Sequence, residues 1–208
     1  MPGHPEITGI VLAGGAGRRM WTQPRGMGAP KPLLPLGGRT LIEHVIAAIE
    51  PLVSGVIVVT NDAESMAFLG HPTVADAEPG RGPLMGLYSG LLVCPTPYAL
   101  AVPCDAPFLA PALLDALIAR RRPDALTLPE TEHGPQPMPG VYPTTLAPSI
   151  AALLEGGRAA MRDLVAAGPV ELLTVAEVEA LDPDGSSFLD MDTPEDLAAA
   201  QAELDERS

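Results

Sequence analysis

The chain has 208 residues, 47% of them hydrophobic but only 3% aromatic, so its core must consist mainly of Leu, Val, Ile and Ala. Twelve basic residues against 26 acidic ones give a formal charge of −14, which argues against nucleic acid or an anionic membrane as a partner. Two cysteines, Cys94 and Cys104, are too few for a disulfide framework or a zinc site, and we expect neither a signal peptide nor a membrane span. These features predict a single cytoplasmic domain over residues 1–208.

Strand-like and helix-like segments alternate along the chain. An apolar, β-branched run from Ile7 predicts a buried strand, and the capping box of Thr40 and Glu43 predicts a helix that stops near Pro51. The later predicted elements are strands at 55–60, 73–76 and 98–102, helices at 84–93, 110–121, 146–154 and 159–167, a strand at 170–175, and a terminal helix from Thr193. This order predicts a mainly parallel sheet covered on both faces, with ligands at the carboxyl ends of its strands.

A glycine-rich loop follows the first predicted strand. Residues 12–17 read Leu-Ala-Gly-Gly-Ala-Gly, and a loop without side chains lets backbone amides approach phosphate groups. The loop has neither the third glycine of the dinucleotide-binding fingerprint nor the spacing of a P-loop. We interpret it as the phosphate-binding part of an active site, and the alternative is a surface loop with incidental charges.

Cations are concentrated just after this loop. Five of the twelve basic residues lie within 22 positions, namely Arg18, Arg19, Arg25, Lys31 and Arg39. Lys31 is the only lysine of the chain, which indicates that a compact ammonium is needed on a phosphate.

A second candidate is Asp105, which lies just beyond a predicted core strand, between Pro103 and Pro107. A carboxylate held there can ligate a Mg2+ ion that bridges nucleotide phosphates. The alternative is that this Asp only forms a turn.

Five segments together resemble the molybdenum cofactor guanylyltransferases, a family of nucleotidyltransferases. They are Leu-Ala-Gly-Gly-x-x-x-Arg-Met with Met-Gly-x-x-Lys at 12–31, Asp76 with Gly-Pro-Leu-x-Gly at 82–86, Pro-x-Asp-x-Pro-Phe at 103–108, Gly-x-Arg at 156–158, and Asp-x-Asp-Thr-Pro-Glu-Asp-Leu at 190–197. A further match at 136–142 is similar to an acceptor-side strand of the family. Two departures are an insertion of about seven residues between Arg19 and Met27, and Asp at 190 and 192 where the family has Asn.

The resemblance implies a three-layer α/β/α Rossmann-like fold of the nucleotide-diphospho-sugar transferase type, with a mainly parallel mixed sheet. It also implies transfer of GMP from GTP to the phosphate of molybdenum-molybdopterin, with pyrophosphate released. Mg2+ is the implied cofactor, and molybdoenzyme apoproteins or their chaperones are the implied further partners.

The resemblance also assigns roles to individual residues. The implied catalytic residues are Arg19, Lys31 and Asp105, the last also as metal ligand. The implied nucleotide-binding residues are Leu12, Ala13, Gly14, Gly15, Lys31, Asp76 and Asp105. The implied acceptor-binding residues are Gly82, Arg158, Asp190 and Asp192, and the two aspartates could instead serve a metal. Thr60 falls where family members often have an Asn that contacts the base.

Several alternatives stay open. The chain could use CTP with the same pterin, and the long segment between Arg19 and Lys31 also allows a nucleotidyltransferase for a sugar or polyol phosphate. A nucleotide-binding regulator without turnover is a third possibility. Arg158 could be a solvated arginine, and Asp190 and Asp192 could belong to an ordinary turn between a strand and a capped helix.

Overall fold

A central sheet lies between two layers of helices in the computed structural model, which describes residues 3–14 and 30–207. In these ranges the strands are β1 Ile7–Leu12, β2 Pro35–Leu36, β3 Arg39–Thr40, β4 Val56–Val59, β5 Thr73–Val74, β6 Tyr98–Pro103, β7 Leu126–Thr131, β8 Gly134–Pro135, β9 Gly140–Pro143 and β10 Val170–Leu173. The α-helices are α1 Leu41–Ile49, α2 Ala63–Met66, α3 Pro83–Val93, α4 Pro111–Ala119, α5 Ala147–Glu155, α6 Val175–Leu181 and α7 Pro194–Arg207. Short 3-10 helices lie at Lys31–Leu33, Glu50–Leu52, Ala67–Leu69, Thr144–Leu146, Met161–Ala166 and Ser186–Phe188.

The main sheet is mixed and mainly parallel, as predicted. Its order is β10-β7-β9-β6-β1-β4-β5, with β8 paired to β7, and β9 is antiparallel to both of its neighbours. Leu12 at the end of β1 is in register with Val59 of β4 and Pro103 of β6. The segments that follow these three strands therefore emerge at the same edge of the sheet, where a parallel sheet presents its ligand-binding loops.

Each face of the sheet carries its own apolar core. One core joins the sheet to α1, α4 and α6, and the other joins it to α3 and α5. The predicted three-layer α/β/α arrangement is thereby confirmed, and the scarcity of aromatic residues leaves these cores largely aliphatic.

A smaller core lies beside the main one. The hairpin of β2 and β3 supplies Leu34, Leu36 and Leu41 from its strands and flanks, and these pack against Met191 and Ala200 at the C-terminal end of the chain. The amide of Gly37 also donates a 2.8 Å hydrogen bond to Gln201 Oε1 of α7. This small core holds residues 31–41 against α7.

Several local predictions agree with the structure, and others were wrong. Thr40 and Glu43 form the predicted capping box, in which the Thr40 amide donates to Glu43 Oε2 at 2.7 Å. The predicted helix at 159–167 is only a 3-10 helix, and the strand predicted to reach residue 175 ends at Leu173. Thr174 instead caps α6, because a second capping box follows directly on the apolar run.

Strands β7 and β8 were not predicted, since Pro129 and the surrounding polar residues interrupt the strand pattern there. In the described ranges, no helix has both the length and the apolar character that crossing a membrane requires.

Candidate active site

Three charged side chains from distant parts of the chain meet at the carboxyl edge of the sheet. Lys31 Nζ lies 2.5 Å from Asp105 Oδ2 and 2.5 Å from Asp192 Oδ1. The Lys31 side chain is only 11% exposed, whereas that of Asp192 is 63% exposed. The structure thus brings together Lys31, Asp105 and Asp192, and we call these residues with Asp190 the lysine–carboxylate cluster.

The backbone around the cluster explains why these residues meet. Asp105 follows β6 by two residues, and its carbonyl accepts a 2.9 Å hydrogen bond from the amide of Met191. The side chain of Met191 is buried in the small core that also holds the segment after Lys31. The hydrogen bond from Met191 to Asp105 and the burial of Met191 in the small core therefore hold Asp105 and the neighbouring Asp192 beside Lys31.

The cluster contains one ammonium and three carboxylates. Burial lowers the pKa of Lys31, but the hydrogen bonds and negative charges of Asp105 and Asp192 outweigh burial and raise the pKa above its ordinary value. Asp190 as a whole residue is exposed, but its carboxyl group is partly buried. This burial, and then the negative charges of Asp105 and Asp192, raise the pKa of Asp190 to about 6. Lys31 is therefore a permanent cation in a site that has excess negative charge.

A second group of residues lies where β4 and β5 end. Asn61 Nδ2 donates to Asp76 Oδ2 at 2.8 Å, and the amide of Asp76 donates back to Asn61 Oδ1 at 3.0 Å. Gly14 lies beside the same carboxylate, since a Cβ built on it would be 3.9 Å from Asp76 Oδ2. We call Gly14, Asn61 and Asp76 the Asn–Asp pair region.

Helix α3 packs against the Asn–Asp pair region. A Cβ built on Gly86 would lie 3.3 Å from Asp76 Oδ1, so a side chain there would press on the carboxylate. Glycine at this position lets the first turns of α3 approach Asp76 closely.

Asn61 was not among the residues selected from the sequence. Thr60, which falls where family members often have an Asn, is buried, and its hydroxyl accepts a hydrogen bond from the amide of Asp62 at 3.1 Å. Successive side chains at a strand end point to opposite sides, so the residue that faces Asp76 is the next one along.

Leu12 and Ala13 extend the sheet rather than the loop. The Leu12 side chain is buried in the core, and the Ala13 amide donates to the Val59 carbonyl at 2.8 Å. Their backbone positions bring Gly14 to the sheet edge. Gly15 and Arg19 fall outside the described residues.

The predicted acceptor residues divide into two places. Asp190 and Asp192 lie in the lysine–carboxylate cluster, as described above. Gly82 caps the N-terminus of α3 and lies against Ala159, and Arg158 nearby pairs with Asp163 at 3.4 Å. Among the described residues, Arg158 forms no hydrogen bond or ion pair with the cluster.

Comparison with known proteins shows to which family this chain belongs. The sequence profile of the MobA-like NTP transferase domain matches residues 9–172, which include the Asn–Asp pair region and, of the lysine–carboxylate cluster, Lys31 and Asp105. The chain belongs to this family. It is therefore a member of a nucleotidyltransferase family, as the sequence analysis predicted.

Individual relatives agree with the family. The probable molybdenum cofactor guanylyltransferase of Chloroflexus aggregans is 34% identical to this chain and covers 98% of each sequence. Molybdopterin-guanine dinucleotide biosynthesis protein A from Archaeoglobus fulgidus has a TM-score of 0.76 at 22% identity, over 96% of this chain and 99% of its own. A Mycobacterium tuberculosis protein crystallised as a manganese complex has a TM-score of 0.65 at 20% identity, over 95% of this chain and 98% of its own. The two structures confirm the Rossmann-like nucleotidyltransferase fold.

The carboxylate oxygens of this MobA-like site suit a hard divalent cation that takes its other ligands from a substrate. In the described ranges, no three side chains of His, Cys, Asp or Glu are placed to hold a metal ion by themselves. Mg2+ is commonly held by one or two carboxylates together with substrate phosphates, because it keeps several water ligands. Asp105 and Asp192, which share one ammonium, fit that type of site.

Proposed function

We propose that this MobA-like protein transfers GMP from GTP to the phosphate of molybdenum-loaded molybdopterin and releases pyrophosphate. The observation that carries the proposal is the convergence of Lys31, Asp105 and Asp192 at the carboxyl edge of the sheet. The support for the substrates is the 34% identity, over nearly the whole chain, to a protein named a probable molybdenum cofactor guanylyltransferase.

The Asn–Asp pair region would bind the nucleoside of GTP. The two hydrogen bonds with Asp76 fix the Asn61 side chain, and its amide still has one N–H and one oxygen lone pair for a base edge. The Gly14 segment enters the same space, where a backbone without a side chain can approach the triphosphate. In this arrangement the α-phosphate would lie at the end of β1, at the same edge of the sheet as the cluster.

Lys31 would change partners when the nucleotide arrives. Without a phosphate nearby, its ammonium pairs with both Asp105 and Asp192 and offsets part of their negative charge. A triphosphate carries more negative charge than two carboxylates, so it draws the ammonium towards itself and frees both carboxylates. Asp105 with Asp192 would then hold Mg2+, which supplies further neutralisation of the phosphate charge when bound.

The reaction itself is a displacement at the α-phosphorus. An oxygen of the pterin phosphate forms a bond to this phosphorus while the bond to the bridging oxygen of the β-phosphate breaks, and the electron pair leaves with pyrophosphate. The protein mainly positions the reactants and stabilises charge, and Lys31 with Arg19 would serve the triphosphate. Arg158 and the Gly82 turn would hold the phosphate of the acceptor, with Asp190 and Asp192 near its other groups.

The experiment is a panel of the four nucleoside triphosphates with Mg2+, each offered with molybdenum-loaded molybdopterin or with sugar and polyol phosphates, and followed by pyrophosphate release. We expect turnover with GTP and the pterin, at least about tenfold better than with CTP, which corresponds to about 1.4 kcal/mol. A preference for CTP indicates a cytidylyltransferase, and turnover of a sugar phosphate indicates the other alternative. Nucleotide binding without pyrophosphate release under every condition indicates a regulator.

The setting of the reaction belongs to the same proposal. We propose that the chain is a single cytoplasmic domain, and that its product passes to molybdoenzyme apoproteins or their chaperones.

A further inference from the structure

Arg81 connects two parts of the molecule that the proposed reaction must hold together. It lies in the turn before α3 and was not among the residues selected from the sequence. Its Nη1 donates to Glu78 Oε2 at 2.9 Å, within its own turn. Its Nη2 donates to the carbonyl of Leu154, near the end of α5.

The carbonyl of Leu154 also takes part in the turn that presents Arg158. It also accepts a 3.0 Å hydrogen bond from the amide of Gly157, and the amide of Arg158 donates to Leu153 at 2.9 Å. The turn that presents Arg158 is therefore built directly on the carbonyl that Arg81 holds.

A second contact supports the same connection. Gly82 has φ +89°, and a Cβ built on it would lie 3.1 Å from the carbonyl oxygen of Ala159. The turn before α3 thus packs against the chain on both sides of Arg158. The start of α3 also faces Asp76, since Gly86 lies one turn further along the helix.

We propose that Arg81 is a positioning residue that fixes Arg158, through the carbonyl of Leu154, relative to helix α3 and the Asn–Asp pair region. This inference rests on the proposed function, in which Arg158 holds the acceptor phosphate and Asp76 belongs to the nucleotide site. Arg81 would then set the distance between the two substrates. A guanidinium suits this role because it offers several N–H donors in a rigid plane, one for each partner.

The first test uses the protein alone. Hydrogen–deuterium exchange is compared between the wild-type protein and Arg81→Met, and we expect faster exchange at the amides of residues 156–158. Unchanged exchange there overturns the proposal, whatever the protein catalyses. Absence of turnover in the wild-type protein would instead overturn the proposed function, so the two failures are distinguishable.

The second test separates the two substrates kinetically. In Arg81→Met we expect the KM for molybdenum-loaded molybdopterin to rise about tenfold while the KM for GTP changes less than about twofold. Arg81→Lys keeps one donor for Leu154 and should recover much of the loss. An equal rise in both KM values, or no recovery with Lys, contradicts the positioning role.

A double mutant tests whether Arg81 acts through Arg158. If it does, Arg81→Met should have little further effect on the acceptor KM once Arg158→Gln is present. Fully additive effects would mean that Arg81 acts independently, which overturns the proposal.

The chain offers a matched control in Arg121. Its Nη1 donates to the carbonyl of Ile118 at 3.0 Å near the end of α4, and its Nη2 pairs with Glu6 at 3.2 Å. These contacts resemble those of Arg81 but lie by the amino ends of β1 and β6, at the opposite edge of the sheet. Arg121→Met should leave both KM values unchanged, and a matching rise in the acceptor KM would show that the Arg81 effect is only a loss of stability.

Discussion

The two halves of the candidate site are built in different ways. In the Asn–Asp pair region, Asn61 and Asp76 are 15 positions apart and follow the neighbouring parallel strands β4 and β5. In the lysine–carboxylate cluster, Lys31 is 74 positions from Asp105 and 161 from Asp192. The pairing of Asn61 with Asp76 is an outcome of one strand–helix–strand unit, to which β1 adds Gly14, whereas the cluster depends on the packing of a hairpin and α7 against the sheet.

The two regions also differ in their balance of charge. The carboxylate of Asp76 accepts a hydrogen bond from a neutral amide, a pairing that can persist when a nucleoside binds. The cluster shares one ammonium among three carboxylates, an arrangement that an incoming triphosphate and cation would redistribute. In the proposed function, the Asn–Asp pair region is a fixed binding surface and the cluster is the reaction centre whose charges rearrange.

The largest effect should come from Asp105→Asn. The change removes the charge with little change of volume, and the backbone hydrogen bond from Met191 to residue 105 is kept. We expect turnover to fall at least about a hundredfold with the fold retained, measured by pyrophosphate release and thermal unfolding. Asp115→Asn, on the exposed side of α4, is the control and should behave like the wild-type protein. Normal turnover in a folded Asp105→Asn protein contradicts the role of the cluster.

Lys31 variants should separate turnover from metal affinity. Arg has a wider, planar head, so Lys31→Arg should lose at least about tenfold in turnover, and Lys31→Met should lose more. Without nucleotide, however, Lys31→Met frees two carboxylates and should bind Mn2+ more tightly than the wild-type protein, as measured by electron paramagnetic resonance. Near-normal turnover in Lys31→Met, or weaker Mn2+ binding, would show that Lys31 does not exchange partners as proposed.

Asn61→Ala should affect binding rather than chemistry. Loss of the amide removes the partner that orients Asp76, so we expect the KM for GTP to rise about tenfold while kcat changes less than about threefold. Asn61→Asp should raise the KM further, because it places a second carboxylate against Asp76. Thr60→Ser is the control. A rise in the KM for GTP in this variant alone would show that residue 60, and not Asn61, contacts the base.

The smallest effect concerns a salt bridge outside both regions. Hydrogen bonds from Arg120 and Thr174 lower the pKa of Glu177 to about 2. A carboxyl group with a lowered pKa contributes stability that is present above its unfolded pKa and is lost as the pH falls towards the folded value. Between about pH 4.5 and pH 2, Glu177→Gln should therefore flatten the decline of melting temperature without changing turnover at neutral pH. An unchanged decline would show that this pair contributes nothing measurable.

The sequence predicted the features that depend on neighbouring residues. The capping box at Thr40, the strand from Ile7 and the position of Asp105 at a strand end are local patterns, and the structure has all three. The alternation of strands and helices also placed Gly14 and Asp105 at one edge of the sheet.

The contacts of the cluster could not be predicted in the same way. No local pattern indicates that Lys31 touches Asp192. That contact depends on the packing of Leu34 and Leu36 against Met191, which lies far from them in the sequence. Asn61 was missed by one residue, since the end of β4 decides which side chain faces Asp76. Arg81 gave no signal at all, because its partner outside its own turn is a backbone carbonyl of α5, 73 positions along the chain.

The most direct test of the central claim follows the α-phosphorus of GTP. GTP labelled at this atom is incubated with Mg2+, molybdenum-loaded molybdopterin and the wild-type protein, and the products are separated and identified by mass spectrometry. We predict that the label enters a pterin guanine dinucleotide, with one pyrophosphate released for each labelled product, and that Asp105→Asn forms almost none. Label recovered only in GMP or GDP, or equal product formation by Asp105→Asn, would contradict the claim that this cluster transfers a nucleotide to the pterin phosphate.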